Sequence, residues 1–321
     1  MIDVLIYLGL FILSLAVLIV ASNYFIVSSE KIGLFFGLPP FIIGVTIVAL
    51  GTSLPELVSS IFAVLQGSTE IVVGNVIGSN IANIFLVLGI AAILGKKLII
   101  SFELIHVDLP FIVGSTFLLA ATIWDGIFTW QEGIICLAVF IVYLVYTTKS
   151  EQENNDKEIK KEMKSFLKSK KKNLPWTTWL VLFLSAFFIF IGAKYTIDSV
   201  IHLSSILNIG TEIIALTAIA LGTSLPELIV TVSAARKGKA EIAVGNVLGS
   251  NIFNTLAVMG IPAFIKPLSI PQSILAFGLP MLIMATLLYF FITQDREITI
   301  WEGCLLVIFY VFFIGKVVGL V

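Results

Sequence analysis

Apolar residues run through the chain in long unbroken stretches, and polar residues gather into short breaks between them. Many of these stretches reach about 18 residues or more, the length a helix needs to cross hydrocarbon. Barrel strands would instead appear as alternating segments of about ten residues. The pattern predicts ten spanning helices, over roughly 2–24, 40–65, 70–94, 107–124, 130–148, 176–197, 211–235, 241–265, 273–292 and 300–319. The one strongly polar connection, Lys149 to Asn173, holds nine Lys and five Asp/Glu, which a bilayer interior rejects. It is expected to be a solvated linker, partly helical from Asn154 to Lys172. The predicted fold is therefore an all-α polytopic membrane protein of ten transmembrane helices. Residues 1–148 form a first five-helix repeat, 149–175 a polar linker and 176–321 a second five-helix repeat.

The halves are copies. Ala49 to Leu57 (ALGTSLPEL) returns unchanged as Ala220 to Leu228, and Glu70 to Ile90 returns with few changes as Glu241 to Ile261. Both pairs are offset by 171 residues, so one duplication explains both. Five is an odd number of spans, so the second copy must enter the membrane from the opposite side. That predicts two inverted repeats related by an axis in the membrane plane, with a substrate site at the midplane between them.

Charge placement sets the orientation. With the 149–173 loop in the cytoplasm, 16 of the 19 Lys and Arg fall on that side, leaving Lys194, Lys266 and Lys316 outside. Both termini are then extracellular, and the protein is expected to be a multi-pass protein of the plasma membrane. Composition agrees: 59% of the 321 residues are hydrophobic, only 12% are charged, and mean hydropathy is +1.10. A soluble domain carries about 25% charged residues. The net charge of −1 gives no support to nucleic-acid binding, and no obligate protein partner is predicted. Cys136 and Cys304 each lie in an apolar run and read as buried thiols. Asp125, Glu132 and Glu302 sit near span ends and are expected to be solvated. His106 and His202 fall in predicted loops, and Trp130, Trp176 and Trp301 read as interface anchors.

The chemistry concentrates in the duplicated blocks. Pro55 has no N–H, so the Gly51 carbonyl loses its helical donor, and a kink or unwinding is expected over Ala49 to Ser53. Irregular backbone at that depth is tolerated where it lines a cavity. Thr52 and Glu56 are four apart and share a face, with Ser53 beside them. The second copy offers Thr223, Ser224 and Glu227. The following span adds Ser79 and Asn83, again four apart, and its copy adds Ser250 and Asn254. Asn75, Asn80, Asn246 and Asn251 offer further oxygens that could take part, but they are assigned to other faces. Every candidate ligand is an oxygen, which suits Na⁺, Ca²⁺ or Mg²⁺ rather than Zn²⁺ or Cu⁺. Two glutamates carry −2, enough to balance one divalent ion.

The paired GTSLPE segments, each followed by GNVIGSNIAN or GNVLGSNIFN, resemble the two repeats of the cation/calcium exchanger superfamily, specifically prokaryotic sodium/calcium exchangers. The resemblance covers essentially the whole chain. It implies ten helices in inverted repeats, the first and sixth long, tilted and gating against a rigid core. It also implies an ion site of Thr52, Ser53, Glu56, Ser79, Asn83 and the Ala49 carbonyl from one repeat. The other repeat would give Thr223, Ser224, Glu227, Ser250, Asn254 and the Ala220 carbonyl. Some members carry Asp at one or both of the Asn83 and Asn254 positions. Amides at both leave two carboxylates and favour sodium/calcium over potassium-dependent exchange.

The expected function is thus antiport of Na⁺ against Ca²⁺ by alternating access, with these ions as cargo and no cofactor. The alternative is a proton/calcium antiporter of the same fold, since a carboxylate in a dry pocket can carry a proton in place of a cation. A passive channel is a further class. An enzyme is disfavoured, because the sequence holds no HExxH, GxSxG or nucleotide-binding loop.

Overall fold

The computed structural model describes residues 2–35, 45, 48–99, 107–153, 175–207, 220–236, 238 and 240–319. It is an assembly of helices that fall where the apolar runs place them. Six are long and apolar enough to cross a membrane by length and composition, and three shorter apolar helices accompany them among the described residues. The expected helicity of residues 154–172 lies outside the described residues.

Helices α1 (Ile2–Phe35) and α7 (Trp176–Leu207) are the longest, at 34 and 32 residues. Each spans about 50 Å at 1.5 Å per residue, well beyond a hydrocarbon core of about 30 Å. Both outrun the spans read from hydropathy. The reason is local: the polar residues that end the apolar runs, such as Ser28 and Ser204, are buried against protein, so the helix continues past them. His202 accordingly sits on α7, not in a loop, and stacks on Tyr7 with ring centroids 4.4 Å apart. Three contacts fix the relative direction of these two helices. Tyr7 meets His202, Thr196 donates to Ser14 at 3.1 Å, and Gly192 lies against Ser14 and Leu18. As the residue number rises along one helix it falls along the other, so α1 and α7 are antiparallel. Gly192 permits the approach, because a Cβ there would sit 3.0 Å from the Leu18 backbone nitrogen. Close crossings at small residues are the usual basis of helix association in lipid.

The proline-broken helix is present in both copies. Helix α2 (Ala49–Thr52) ends at Ser53, with φ −90° and ψ 5°, and α3 (Leu54–Leu65) begins there with Pro55 in its first turn. Helices α8 (Ala220–Thr223) and α9 (Leu225–Arg236) repeat the break at Ser224. Proline is tolerated at a helix start, where its missing N–H has no helical acceptor to satisfy. The expected unwinding of 49–53 contracts to a bend at one residue. Ala49 remains helical, and its carbonyl accepts the Ser53 N–H at 3.0 Å.

Helices α4 (Glu70–Gly95) and α10 (Ala240–Phe253) fill the centre of the molecule. Both pass into a π-helical stretch, Ala82–Leu88 in α4 and Asn254–Val258 directly after α10. The hydropathy pattern reads as one continuous span in each case. A wider turn widens the spacing of the side chains it carries, and such turns cluster at functional sites. Around this pair lie α5 (Asp108–Thr122), α6 (Trp130–Glu153), α11 (Ile274–Gln294, opening in a π turn) and α12 (Ile300–Val317). Lys149–Glu153 continue α6, although their charge marked them as linker.

Two short antiparallel pairs tie the connections: β1 (Lys97–Ile99) with β4 (Glu297–Thr299), and β2 (Ile127–Phe128) with β3 (Leu268–Ser269). Glu132 and Glu302 do not simply face solvent. Each accepts the backbone N–H and hydroxyl of the threonine three residues earlier, Thr129 at 2.6 and 2.9 Å and Thr299 at 2.7 and 2.8 Å. They cap the starts of α6 and α12. Trp130, Trp176 and Trp301 are exposed, as anchors would be, and Cys136 is buried while Cys304 is partly so.

Most buried side chains form one apolar core around α4 and α10. A smaller cluster, including Leu18, Phe62, Ile71 and Ile197, joins α1 and α7 to α3. Two glycine crossings hold the outer helices close. A Cβ on Gly303 would meet the Gly89 carbonyl at 2.8 Å, and one on Gly133 would meet the Gly260 carbonyl at 2.8 Å. Backbone cannot yield as a flexible side chain does, so overpacking of about 1–3 kcal/mol is expected. Gly303→Leu should lower the thermal unfolding midpoint in detergent by several degrees. Gly114→Ala, whose Cβ would meet nothing within 4 Å, should leave it unchanged.

Candidate functional site

The bends at Ser53 and Ser224 place a glutamate in the first turn of each following helix, Glu56 in α3 and Glu227 in α9. Both are fully buried, as are Thr52, Ser79, Asn83, Thr223, Ser250 and Asn254; Ser53 is equally buried and Ser224 almost so. The ten side chains selected from the sequence are therefore all interior, and hydrogen bonds link most of them across the two copies. Ser53 donates to Glu227 Oε1 at 3.0 Å. Thr52 and Ser250 hydroxyls are 3.2 Å apart, and Ser79 and Thr223 hydroxyls 3.5 Å apart. Ser79 lies 3.5 Å from Glu56 Oε1. Glu56 also interacts with the hydroxyl of Thr223, and Glu227 with those of Thr52 and Ser250. Each carboxylate thus draws hydroxyls from the opposite copy, and Glu56 feels the charge of Glu227 directly.

A first-turn position favours a carboxylate by about 0.3–1 kcal/mol through the unsatisfied helical N–H groups. Holding a charge at depth in a bilayer costs at least about 2.5–3.5 kcal/mol on insertion scales. The helix ends therefore cannot stabilise two carboxylates alone. No Lys or Arg among the described residues forms an ion pair with either, the lysine pair found being Lys97 with Glu297 at the surface, 2.7 Å apart. Several buried polar atoms here make no hydrogen bond among the described residues: Oε2 of Glu56 and of Glu227, Oγ of Ser224, and both amide atoms of Asn83 and of Asn254. An unpaired buried polar group costs roughly 1–3 kcal/mol. These unpartnered atoms belong to the same residues whose oxygens were selected from the sequence, so the donor set fits a hard cation.

The copies differ in detail. Ser53 reaches the opposite glutamate, whereas Ser224 has no hydrogen bond among the described residues. The Ala49 carbonyl accepts both the Ser53 N–H and the Thr52 hydroxyl, at 3.0 and 3.1 Å, so it can meet a cation only when the hydroxyl turns away. Ala220 starts α8, and its side chain is not among those described.

Two residues assigned to other faces belong to the network. Asn75 Oδ1 is 3.5 Å from the hydroxyls of Ser79 and Thr223, and Asn246 Oδ1 is 3.5 Å from that of Thr52. The signal was available: Asn75, Ser79 and Asn83 are spaced by four, one stripe of a helix. Asn80 lies elsewhere, donating to the Asn251 carbonyl at 3.3 Å and to Thr255 at 2.8 Å.

The sequence pattern of the family described as "Sodium/calcium exchanger protein" matches residues 6–149 and 177–318, and the chain belongs to this family. Among its relatives is the sodium/calcium exchanger MaX1 of Methanosarcina acetivorans, 34% identical over 94% of this chain and 95% of that protein. The inner membrane protein YrbG of Escherichia coli is 32% identical over 81% and 80%. Among solved structures, the sodium-calcium exchanger NCX_Mj soaked with Na⁺ and Sr²⁺ matches with a TM-score of 0.70 at 30% identity, covering 97% of this chain and 98% of that one.

A contrast between two buried serines tests the geometry. If this cluster is a calcium site, Ser79→Ala should weaken calcium binding about tenfold by removing an oxygen beside Glu56. Ser59, whose hydroxyl donates to the Glu56 carbonyl within the helix at 3.1 Å, should tolerate alanine with little change. Calorimetric titration of the purified protein measures both.

Proposed function

We propose that this chain exchanges Na⁺ for Ca²⁺ across the plasma membrane by alternating access. Ca²⁺ sits between Glu56 and Glu227 at the midplane, and Na⁺ ions compete for the overlapping oxygens of Thr52, Ser53, Ser79, Asn83, Thr223, Ser224, Ser250 and Asn254, with the carbonyls of Ala49 and Ala220. The observation that carries this reading is the pair of buried carboxylates, each drawing hydroxyls from the opposite copy and neither paired with a described Lys or Arg. Family membership and the names of MaX1 and NCX_Mj support the choice of ions.

The architecture proposed for this work is ten transmembrane helices in two inverted five-helix repeats, 1–148 and 176–321, around a cytoplasmic 149–175 linker. Both termini then lie outside. Several matched contacts support it. Helices α1 and α7, the first of each half, run in opposite directions. Adding 171 to Asn75→Ser60, at 3.1 Å, yields Asn246→Thr231, at 3.0 Å. The β1–β4 pair maps onto β2–β3 in the same way, with an offset of 170 or 171.

Coupling follows from charge. A loaded site is neutral or nearly so and can be carried past a dry barrier, whereas an empty one exposes bare carboxylates to that barrier. Reorientation without cargo is therefore suppressed, and flux in one direction requires counter-flux in the other. With three Na⁺ per Ca²⁺, transport would also carry net charge. Sodium is favoured over protons as the driving ion because the unpartnered oxygens outnumber the two carboxylates that could take a proton.

Sodium-loaded proteoliposomes should accumulate ⁴⁵Ca²⁺ when diluted into sodium-free buffer, and a pH gradient alone should not drive uptake. Glu56→Gln combined with Glu227→Gln should reduce uptake to the level of empty vesicles. Uptake indifferent to the sodium gradient would overturn the assignment.

A further inference from the structure

We propose that Asn75 and Asn246 are positioning residues of the ion site: each takes the protons of nearby hydroxyls so that hydroxyl lone pairs face the cation. This deepens the reading above and rests on a cation lying between Glu56 and Glu227.

A hydroxyl offers one proton and two lone pairs. If its proton points at a carboxylate oxygen, it occupies the oxygen the cation needs and turns its positive end toward the ion. The Ser79 hydroxyl stands at that choice, 3.5 Å from Glu56 Oε1 and 3.5 Å from Asn75 Oδ1. Its proton can pass from one acceptor to the other by rotation about a single bond. Thr223, from the other copy, is also 3.5 Å from Asn75 Oδ1. One amide oxygen thus serves a hydroxyl from each copy.

The amide is held in the orientation this requires. Asn75 Nδ2 donates to the Glu56 carbonyl at 3.2 Å and to Ser60 Oγ at 3.1 Å. A backbone carbonyl can only accept, so the nitrogen must face it, and the oxygen is fixed on the side of Ser79 and Thr223. The anchor is the backbone of the same residue that carries the carboxylate. Asn246 repeats two of these contacts, those that map onto Asn75–Ser60 and Asn75–Thr223. Its Nδ2 donates to Thr231 at 3.0 Å and its Oδ1 lies 3.5 Å from the Thr52 hydroxyl. That proton has a second acceptor in the Ala49 carbonyl at 3.1 Å, so turning it toward Asn246 would also free a carbonyl lone pair for the ion. Both asparagines are fully buried. Neither needs to touch the cation.

The test is a double-mutant cycle on calcium affinity, measured by calorimetry with the purified full-length protein. Asn75→Leu, which keeps volume and removes the acceptor, should weaken calcium binding about tenfold. In a Ser79→Ala, Thr223→Val background the same change should weaken it less than about twofold further, because the hydroxyls it steers are gone. An equal loss in both backgrounds, or no loss in the first, would overturn the proposal. If Asn75→Leu does not fold, Asn246→Leu against Thr52→Val poses the same question. A wild-type protein that binds calcium but ignores sodium gradients would sink the exchange reading and leave the outcome of this cycle standing.

Discussion

Two fully buried glutamates, linked through hydroxyls where the two copies meet and with no described basic side chain to pair them, impose the constraint that the other features answer. Both are fully buried, and the helix termini stabilise them too weakly. Something positive must be supplied from outside the polypeptide, and it must be able to leave. A resident Lys or Arg would remove that cost permanently. The described surroundings are instead neutral oxygens and amides, the donor set that the proposed exchange requires. Amides rather than acids at Asn83 and Asn254 limit the negative charge to what one divalent ion can balance.

The fold's duplication follows from the same need. A single broken helix brings one glutamate to the interior, and the second copy of that helix brings the other. The hydrogen bonds cross between copies, from Ser53 to Glu227 and between Ser79 and Thr223, so neither half completes the site alone. The glycine crossings at Gly89–Gly303 and Gly133–Gly260 brace the surrounding helices against this core. By contrast, α1 and α7 pack chiefly on one another and meet α3 through a small separate apolar cluster.

Much of this was legible in the letters, because a duplicated helix-breaking proline beside a glutamate has few meanings in an apolar chain. Pro55 and Pro226 located the bends, and the spacing of Thr52 to Glu56 and Ser79 to Asn83 located the faces. What escaped has physical reasons. The π turns carry no periodic signature, because α4 and α10 are buried all round and show no apolar stripe to shift. The ends of α1 and α7 were misplaced because hydropathy reports where lipid ends, whereas Ser28 and Ser204 remain helical against protein. The strand pairs are two or three residues long, too short to alternate visibly. Glu132 and Glu302 looked like solvated charges because a cap depends on a threonine three residues away. Asn75 was set on another face despite its spacing from Ser79, since an asparagine that joins a polar network is hard to tell in the letters from one that packs a helix.

The most direct test of the central claim is the calcium stoichiometry and affinity of Glu56→Gln and Glu227→Gln, measured separately and together by calorimetry. If one ion is shared between the two acids, wild-type protein binds calcium at a single site, each single change abolishes that binding, and the pair does no further harm. Either variant retaining wild-type affinity would show that the acids do not share a cation, and would contradict the account.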